Sequence, residues 1–284
     1  METAAAVARP LPGFRILFIV GSVLVILAGI PLFFFSERTD EYFAWTIASP
    51  LTAATDGAFF FAGFILFAAA LRATTWADAR ALVVAVLTVA SVKLIATLLD
   101  LEPFHFEGPG GLARFAAWSW MIVYILVPFG LAGLLIAQRG VPGGDPPPGP
   151  PIPRPIAAMF VAGSAVMIAI GAVQLFASSA AIDIWPWQLT PLTSHALSAW
   201  FLGVGVLAAL VVRENDLPRS GPAMLGSAVL AVLLTIALLR FESEVNWDRP
   251  LAWVYVGLIA LLFVAGTAGL TARAKSAAPS ASPR

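Results

Sequence analysis

The sequence predicts an all-α, polytopic membrane protein with eight transmembrane helices, arranged as two parallel four-helix repeats. Three observations lead to this prediction. First, 60% of the residues are hydrophobic, 11% are charged and the mean hydropathy is +0.91, whereas soluble domains carry about 25% charged residues. Second, eight apolar runs are each long enough to cross a bilayer, because about 20 helical residues span about 30 Å of hydrocarbon. Third, the second half of the chain repeats the first.

The eight runs are long and do not alternate between polar and apolar residues, which excludes the strands of a membrane barrel. A helix satisfies its own backbone hydrogen bonds in lipid, so each run is predicted as a helix. The first run is too long for the core of a cleaved signal peptide, and it ends without a small-residue cleavage site, so we expect a signal anchor. The runs cover residues 14–35, 51–71, 80–99, 115–137, 156–177, 192–212, 222–239 and 251–271.

The repeat is clearest where the sequence SPLTA of residues 49–53 recurs as TPLTS in residues 190–194, at an offset of 141 positions. After one shorter loop the offset becomes 135, which pairs Trp118 with Trp253. Each repeat has an even number of spans, so both copies enter the membrane in the same direction. We therefore expect a pseudo-twofold axis along the membrane normal.

The repeat sets the domain boundaries. The first four-helix repeat is predicted over 1–139 and the second over 156–271. Residues 140–155 are rich in proline and glycine and are predicted as a semi-extended cytoplasmic linker; a proline-rich ligand for a partner domain is the alternative. Residues 272–284 are predicted as a disordered tail. The extramembrane segments are too short to form a domain.

The distribution of basic residues predicts the orientation. With the N-terminus inside, 11 of the 16 Lys and Arg residues fall in cytoplasmic segments, while ten of the 16 acids fall in outer loops. This is the bias of the positive-inside rule, which places both termini in the cytoplasm. We expect an integral protein of a bacterial-type inner membrane.

Composition and motifs exclude several classes of function. The chain has no cysteine, which removes disulfides, thiolate chemistry, Fe–S ligation and c-type haem attachment. It lacks the signatures of serine hydrolases, zincins and P-loop proteins, and it has no basic patch for nucleic acid. We expect no cofactor and no nucleic-acid partner. The expected partners are the lipid bilayer and either a small solute or another membrane protein.

The duplicated Pro-Leu-Thr motif has two interpretations. Ser49 and Thr190 fit helix N-caps with proline at the next position, so the motif is predicted to begin the second span of each repeat. Alternatively, these helix N-termini bind an anion in an outer cavity. The tryptophans just upstream are predicted to form an interfacial aromatic belt, the alternative being that they roof a cavity. They are Trp45, Trp185 and Trp187.

Asp56, Lys93 and His195 lie well inside the predicted spans and break the repeat. The second copy has leucine at the positions of Asp56 and Lys93, and the first copy has alanine at the position of His195. Asp56 and Lys93 each lie about 9 Å from the outer ends of their helices, and a lone charge in lipid costs several kcal/mol. We therefore predict an Asp56–Lys93 contact, with His195 at nearly the same depth. The trio is either a proton-coupled or solute-binding site, or a packing ion pair with a separate polar histidine.

The third outer segment concentrates carboxylates and one of the two histidines. Such ligands suit a divalent cation, but the spacing matches no metal motif, so a solvated acidic loop is the favoured interpretation and no metal is expected. The residues concerned are Asp100, Glu102, His105 and Glu107.

These observations leave two leading hypotheses for function. In the first, the protein binds or transports a small solute through a site in the outer half of the bundle, where Asp56 and Lys93 form a charge relay or clamp and His195 adds a titratable hydrogen bond. In the second, it is a membrane scaffold or accessory subunit without transport or catalytic activity. An intramembrane enzyme acting on a lipid-linked substrate is a weaker third possibility, since no nucleophile or metal site is recognisable.

Overall fold

The computed structural model describes residues 6–107 and 110–277. Within these residues the fold is all-helical, and eight helices are long and apolar enough to cross a membrane. This confirms the predicted fold class at the level of eight apolar helices. They are α1 (Pro12–Phe34), α2 (Pro50–Arg72), α3 (Trp76–Leu99), α4 (Gly111–Gln138), α5 (Arg154–Phe176), α6 (Pro191–Glu214), α7 (Gly221–Arg240) and α8 (Pro250–Ala277).

The helices coincide with the predicted spans, and the main differences lie at their ends. Helix α3 begins at Trp76, four residues before the expected start, because Thr75 caps it by accepting a hydrogen bond from the Asp78 backbone N–H at 3.3 Å. Helix α8 continues to Ala277, so residues 272–277 are helical rather than part of a disordered tail. Alanine and arginine favour helix there, and Lys275 complements the C-terminal dipole. Residues 278–284 lie outside the described residues.

The duplicated Pro-Leu-Thr motif begins two of the helices, as predicted. The side chain of Ser49 accepts a hydrogen bond from the Thr52 N–H at 3.2 Å at the start of α2. Thr190 and Thr193 form a reciprocal capping box at the start of α6. In both helices proline occupies the first position, where its missing N–H costs nothing.

The two ends of the bundle differ in what they carry. One end of the bundle carries the first and last described residues together with residues 139–153, and we call it the terminal face. The other end, the far face, carries four short helical turns between the long helices. These are Ser36–Arg38, Thr39–Tyr42, Ser178–Ile184 and Glu242–Glu244.

The eight helices form a closed ring of neighbours. In order around the ring they are α1, α2, α7, α8, α5, α6, α3 and α4, with α4 returning to α1. Helices α2, α3, α6 and α7 are the inner ones, since 44–67% of their spanning residues are buried, against 22–39% in the other four. Consecutive inner helices, α2 with α3 and α6 with α7, touch at few positions. Among the four inner helices, the main contacts therefore run between the two halves of the chain, from α2 to α7 and from α3 to α6.

The outer surface is apolar over the length of the helices. Large side chains on the outer helices point away from the protein, among them Ile16, Leu27, Phe115, Phe129 and Phe176, each at least 64% exposed. An uncovered apolar surface on this scale is expected only in lipid. The environment of the helices is therefore a bilayer.

The proline-rich connection between α4 and α5 is fastened to the terminal face. The N–H of Gly149 donates to Asp216 Oδ2 at 2.8 Å, and the N–H of Ile152 donates to Asn215 Oδ1 at 3.0 Å. Asn215 ends α6 in the left-handed conformation, with φ of 48°. The connection is thus non-helical, as its composition indicates, but it is held in place by the end of α6.

Candidate functional site

Asp56 on α2 and Lys93 on α3 form an ion pair inside the bundle, as predicted. Lys93 Nζ lies 3.1 Å from Asp56 Oδ1, and the two residues are 0% and 3% exposed. The pair is therefore enclosed within the bundle. A buried charge of either sign requires such a partner.

A third helix, α6, also contributes a hydrogen bond to this pair. The indole Nε1–H of Trp200, on α6, donates to the same Asp56 Oδ1 that accepts from Lys93. The other carboxylate oxygen, Asp56 Oδ2, is buried and has no hydrogen-bond partner among the described residues. The site thus joins α2 and α3 of the first half to α6 of the second half, and it leaves one charged oxygen unsatisfied.

Three aromatic rings surround the Lys93 ammonium. Nζ lies 5.1 Å from the ring centroid of Trp200, 5.2 Å from that of Trp120 and 5.8 Å from that of Phe60, within the range of cation–π attraction. Trp120 is held in position because its Nε1–H donates to Thr97 Oγ1 at 2.9 Å. We call these three rings, with the Asp56 carboxylate, the ammonium cage.

Helical periodicity assembles the cage. Phe60 lies four residues after Asp56 on α2, and Thr97 lies four residues after Lys93 on α3. Residues at this spacing share a helix face. Asp56 and Phe60 therefore lie on one face of α2, and Lys93 and Thr97 lie on one face of α3.

A column of polar side chains connects the cage with the far face. Ser49, Thr52 and Asp56 lie at positions i, i+3 and i+7 of the α2 register and are all buried. Thr52 Oγ1 accepts from Trp187 Nε1 at 2.8 Å. At the far-face end of the column, Ser49 Oγ donates to Glu244 Oε2. Glu244 Oε1 accepts from the Leu51 N–H at 3.3 Å. The column therefore begins at a carboxylate near the surface and ends at a buried one.

The positive end of α2 is thus neutralised from within the chain. Glu244 is the anion at this helix N-terminus, which suits the helix dipole, and α6 is capped by its own threonines. The alternative in which these N-termini bind an external anion has no support in this geometry.

His195 does not join Asp56 and Lys93, so the expected trio is not assembled. His195 Nδ1 lies 2.5 Å from Oδ2 of Asp100, the residue that ends α3. The α6 residue that reaches Asp56 is Trp200, and His195 precedes it by five residues, or about 7.5 Å of helix. His195 therefore lies nearer the far face and forms a second contact between the halves.

The predicted aromatic belt of Trp45, Trp185 and Trp187 is wrong, since these residues are 1%, 1% and 5% exposed. They lie inside the bundle near the far face, and they line neither of the two cavities described below. Trp45 packs on Trp120, with ring centroids 4.9 Å apart. Trp185 and Trp200 are connected by a series of aromatic contacts through Phe201 and Phe59. The centroid distances are 5.9 Å from Trp185 to Phe201, 5.8 Å from Phe201 to Phe59 and 5.5 Å from Phe59 to Trp200.

Other tryptophans occupy the lipid-facing surface near the far face. Trp118, Trp247 and Trp253 are 53%, 38% and 63% exposed. Trp118 and Trp253 both lie near the start of a helix. These positions suit interfacial tryptophans.

The acidic segment after α3 does not form a metal centre in the described part of the chain. Both ring nitrogens of His105 have other partners, Phe43 O at 3.0 Å and Thr46 Oγ1 at 3.1 Å. Glu102 and Glu107 are exposed, and Asp100 is bound to His195. No group of three or more potential metal ligands converges among the described residues.

Sequence reasoning missed the aromatic part of the cage and Glu244. The sequence held a signal for two of these residues, because at the offsets of the predicted repeat Trp120 is aligned with Tyr255 and Trp200 with Phe59. The first half of the chain thus differs from the second at the rings around Lys93 as well as at the charges. No comparable signal marks Glu244, which reaches α2 from a connection 193 residues away.

Two small cavities in the described residues lie away from the cage. One of about 10 Å³ is at the terminal face between α3, α6 and α7. The other, of about 30 Å³, is apolar and lies between α5, α6, α7 and α8. Each has room for about one or two water molecules, and neither is lined by Asp56 or Lys93. This conformation holds the cage closed.

The fold defines an integral membrane protein of eight helices around a buried ion pair. Comparison with known protein families, characterised proteins and solved structures gives no match for this chain.

Proposed function

We propose that this integral membrane protein is a proton-coupled transporter in which the Asp56–Lys93 pair is the proton-binding centre. The observation that carries the proposal is the unpartnered, buried Oδ2 of Asp56, next to a lysine that is itself fully enclosed. Ionisable residues inside a membrane are costly and usually functional. When a buried ion pair serves only packing, replacing it with two apolar residues often leaves the protein equally stable or makes it more stable.

Protonation of Asp56 changes the contacts between the two halves. A neutral carboxyl group accepts more weakly from Lys93 and from Trp200 on α6. It also leaves the Lys93 charge without a counter-ion, which favours a conformation in which the ammonium reaches water. Because α2 and α3 belong to the first half and α6 to the second, the bound proton alters an interface on which the closed conformation depends. This is the two-state element that proton coupling requires.

The polar column on α2 supplies the route for the proton. Glu244 is partly exposed at the far face and contacts Ser49 directly, and Thr52 lies between Ser49 and Asp56 on the same helix face. Hydroxyl groups both donate and accept, so with intervening water they can pass a proton from one carboxylate to the other.

The architecture in this proposal is two parallel repeats related by a pseudo-twofold axis along the membrane normal. The helix neighbours support it, because exchanging the halves turns the pair α2–α7 into α6–α3 and the pair α4–α1 into α8–α5, and all of these pairs occur. The positive-inside bias supports cytoplasmic termini and a bacterial-type inner membrane. The far face is then the outer side.

Infrared difference spectroscopy of the reconstituted protein tests the proton site. Lowering the pH should produce a carboxylic C=O band from a buried group, and Asp56→Asn should remove that band while leaving the folded yield nearly normal. Glu107→Gln, which changes an exposed carboxylate, is the control and should leave the band in place. A band that persists in Asp56→Asn rejects Asp56 as the proton site, and loss of folding in that variant indicates a structural pair.

The second candidate is a membrane scaffold or accessory subunit, favoured by the closed packing around the pair. It predicts that the double variant Asp56→Leu with Lys93→Leu keeps full folded yield, thermal stability and partner binding, since two apolar residues replace an internally balanced pair. Thermal unfolding in detergent measures this. The transporter proposal expects the same variant to fold but to lose proton uptake. Docking through Trp185 and Trp187 does not fit, because both are buried.

A further inference from the structure

We propose that the ammonium cage is a recognition site for a small organic ammonium ion, and that the Lys93 side chain occupies it in this conformation as a tethered substitute. The inference rests on the proposed transport function and names its substrate class. It follows from the surroundings of Lys93 Nζ rather than from the charge of the pair alone.

The cage has the chemistry that recognises alkylammonium groups. Such groups bind over the faces of aromatic rings, with a carboxylate as counter-ion. Here three rings lie 5.1–5.8 Å from the nitrogen, and two of them belong to tryptophan, the strongest ring for this contact.

The lysine does not use the site fully. Its ammonium has three N–H donors, and within the described residues it makes one hydrogen bond, to Asp56 Oδ1. The second oxygen, Oδ2, remains without a partner in the described residues. A free ammonium ion, which is not tied to α3, can place its donors between both carboxylate oxygens.

Charge balance fixes what happens to Lys93 when such an ion binds. The pair Asp56–Lys93 is neutral as it stands, so a second ammonium would leave one uncompensated positive charge in a site without water. The cost is removed if the Lys93 ammonium gives one proton to water and remains as a neutral amine. One organic cation then enters for each proton released, and the exchange is electroneutral.

The groups around the pair leave this balance intact. The titratable side chains on the neighbouring helices are Tyr124, whose ring centroid is 4.4 Å from that of Trp120, and Tyr255, whose hydroxyl is 3.4 Å from Thr55 Oγ1. Nearer the far face, the inner helices also carry His195, which is bound to Asp100, and Arg240, which donates to the Phe33 carbonyl and lies over its ring. No further carboxylate pairs with Lys93 among the described residues.

The access route suggested by the packing is from the far face. Trp45 covers Trp120, and Trp187 is tied to Thr52 on the polar column. Movement of these two indoles uncovers the cage without disturbing the terminal face, where the proline-rich connection is anchored.

The test uses purified full-length protein in detergent, with n-propylammonium and tetramethylammonium as probes and n-propanol as the uncharged control. In weakly buffered solution, wild type should release one proton per bound ammonium ion. Asp56→Asn should bind neither probe and release no proton. Absence of proton release with both probes in wild type overturns the inference.

A second variant tests the cage without requiring Lys93 to move. Lys93→Ala removes the part of the side chain that corresponds to n-propylammonium, so this probe should raise the thermal unfolding midpoint of that variant saturably, while n-propanol should not. The double variant Asp56→Asn with Lys93→Ala should not respond. Lys93→Met, which keeps the length without the charge, shows whether the packing tolerates loss of the ammonium if Lys93→Ala fails to fold.

The outcomes separate this inference from the proposed function. If the infrared band of Asp56 is present but neither wild type nor Lys93→Ala responds to ammonium ions, the proton site stands and the substrate class is wrong. If Lys93→Ala responds but wild type releases no proton, Lys93 is a permanent occupant, and the inference is also wrong. If the Asp56 band is absent, the proposed proton function itself fails.

Discussion

At the scale of single residues, the defining feature of the site is that the hydrogen-bonding capacity of the Asp56 carboxylate is only partly used. One carboxylate oxygen accepts from both Lys93 and Trp200, while the other has no partner among the described residues. An ion pair built only for stability would use both oxygens, because an unsatisfied buried acceptor costs about 1–3 kcal/mol. The imbalance is consistent with a group that changes its protonation or its ligand.

The Trp200 hydrogen bond can be tested separately from its ring. Trp200→Phe keeps an aromatic ring beside Lys93 but removes the N–H that Asp56 accepts, and it should lower the stability by about 1–3 kcal/mol. Thermal or denaturant unfolding in detergent measures the change. Trp118→Phe, at an exposed indole, is the control and should change stability by less than about 0.5 kcal/mol. Equal effects in both variants would show that the indole N–H of Trp200 contributes nothing specific.

At the scale of helices, α2 is held against α1 by close contact at one glycine. A Cβ added at Gly57 would lie 2.6 Å from the backbone nitrogen of Phe33, which cannot move aside easily. Gly63 lies on the same helix with open space around its Cα. Gly57 precedes Phe60 by one turn and follows Asp56 directly, so the approach of α1 fixes the part of α2 that carries the cage.

These two glycines form a matched pair of substitutions. Gly57→Ala should destabilise the protein by about 1–3 kcal/mol, because the added methyl group forces the two helices apart. Gly63→Ala should be neutral or stabilising by up to about 1 kcal/mol, since alanine favours helix. Thermal unfolding of both variants is the measurement. A stable Gly57→Ala protein would mean that α1 and α2 separate at little cost.

At the scale of the whole molecule, carboxylates from the connections close the far face. Glu244, between α7 and α8, reaches the first turn of α2. Asp100, at the end of α3, reaches His195 on α6. Each contact links the end of a third helix in one half to the second helix of the other half. Opening of the far face therefore requires both contacts to loosen.

The orientation of the molecule can be measured directly because the chain has no cysteine. Single cysteines are introduced at Pro148 in the terminal-face connection and at Ser243 on the far face, both exposed. A membrane-impermeant maleimide added to intact cells or spheroplasts should label Ser243→Cys, and it should label Pro148→Cys only after the membrane is permeabilised. The reverse pattern would place the termini outside and contradict the positive-inside assignment.

The sequence by itself determined the eight helices, the caps at Ser49 and Thr190, and the Asp56–Lys93 contact. These features depend on local hydropathy, on the chemistry of helix ends, and on the high cost of an unpaired charge in lipid. Each can be worked out from the residues nearby or, for the pair, from the similar depth of two charges on consecutive helices.

Only the tertiary structure decided which helices are neighbours and which way their side chains face. The helices are apolar on nearly all sides, so periodicity does not distinguish a lipid-facing side from a packed one. For that reason the sequence could not show that α2 packs on α7, that Trp45 and Trp185 are buried, or that His195 binds Asp100. The cage depends on those neighbours, because its rings come from α2, α4 and α6.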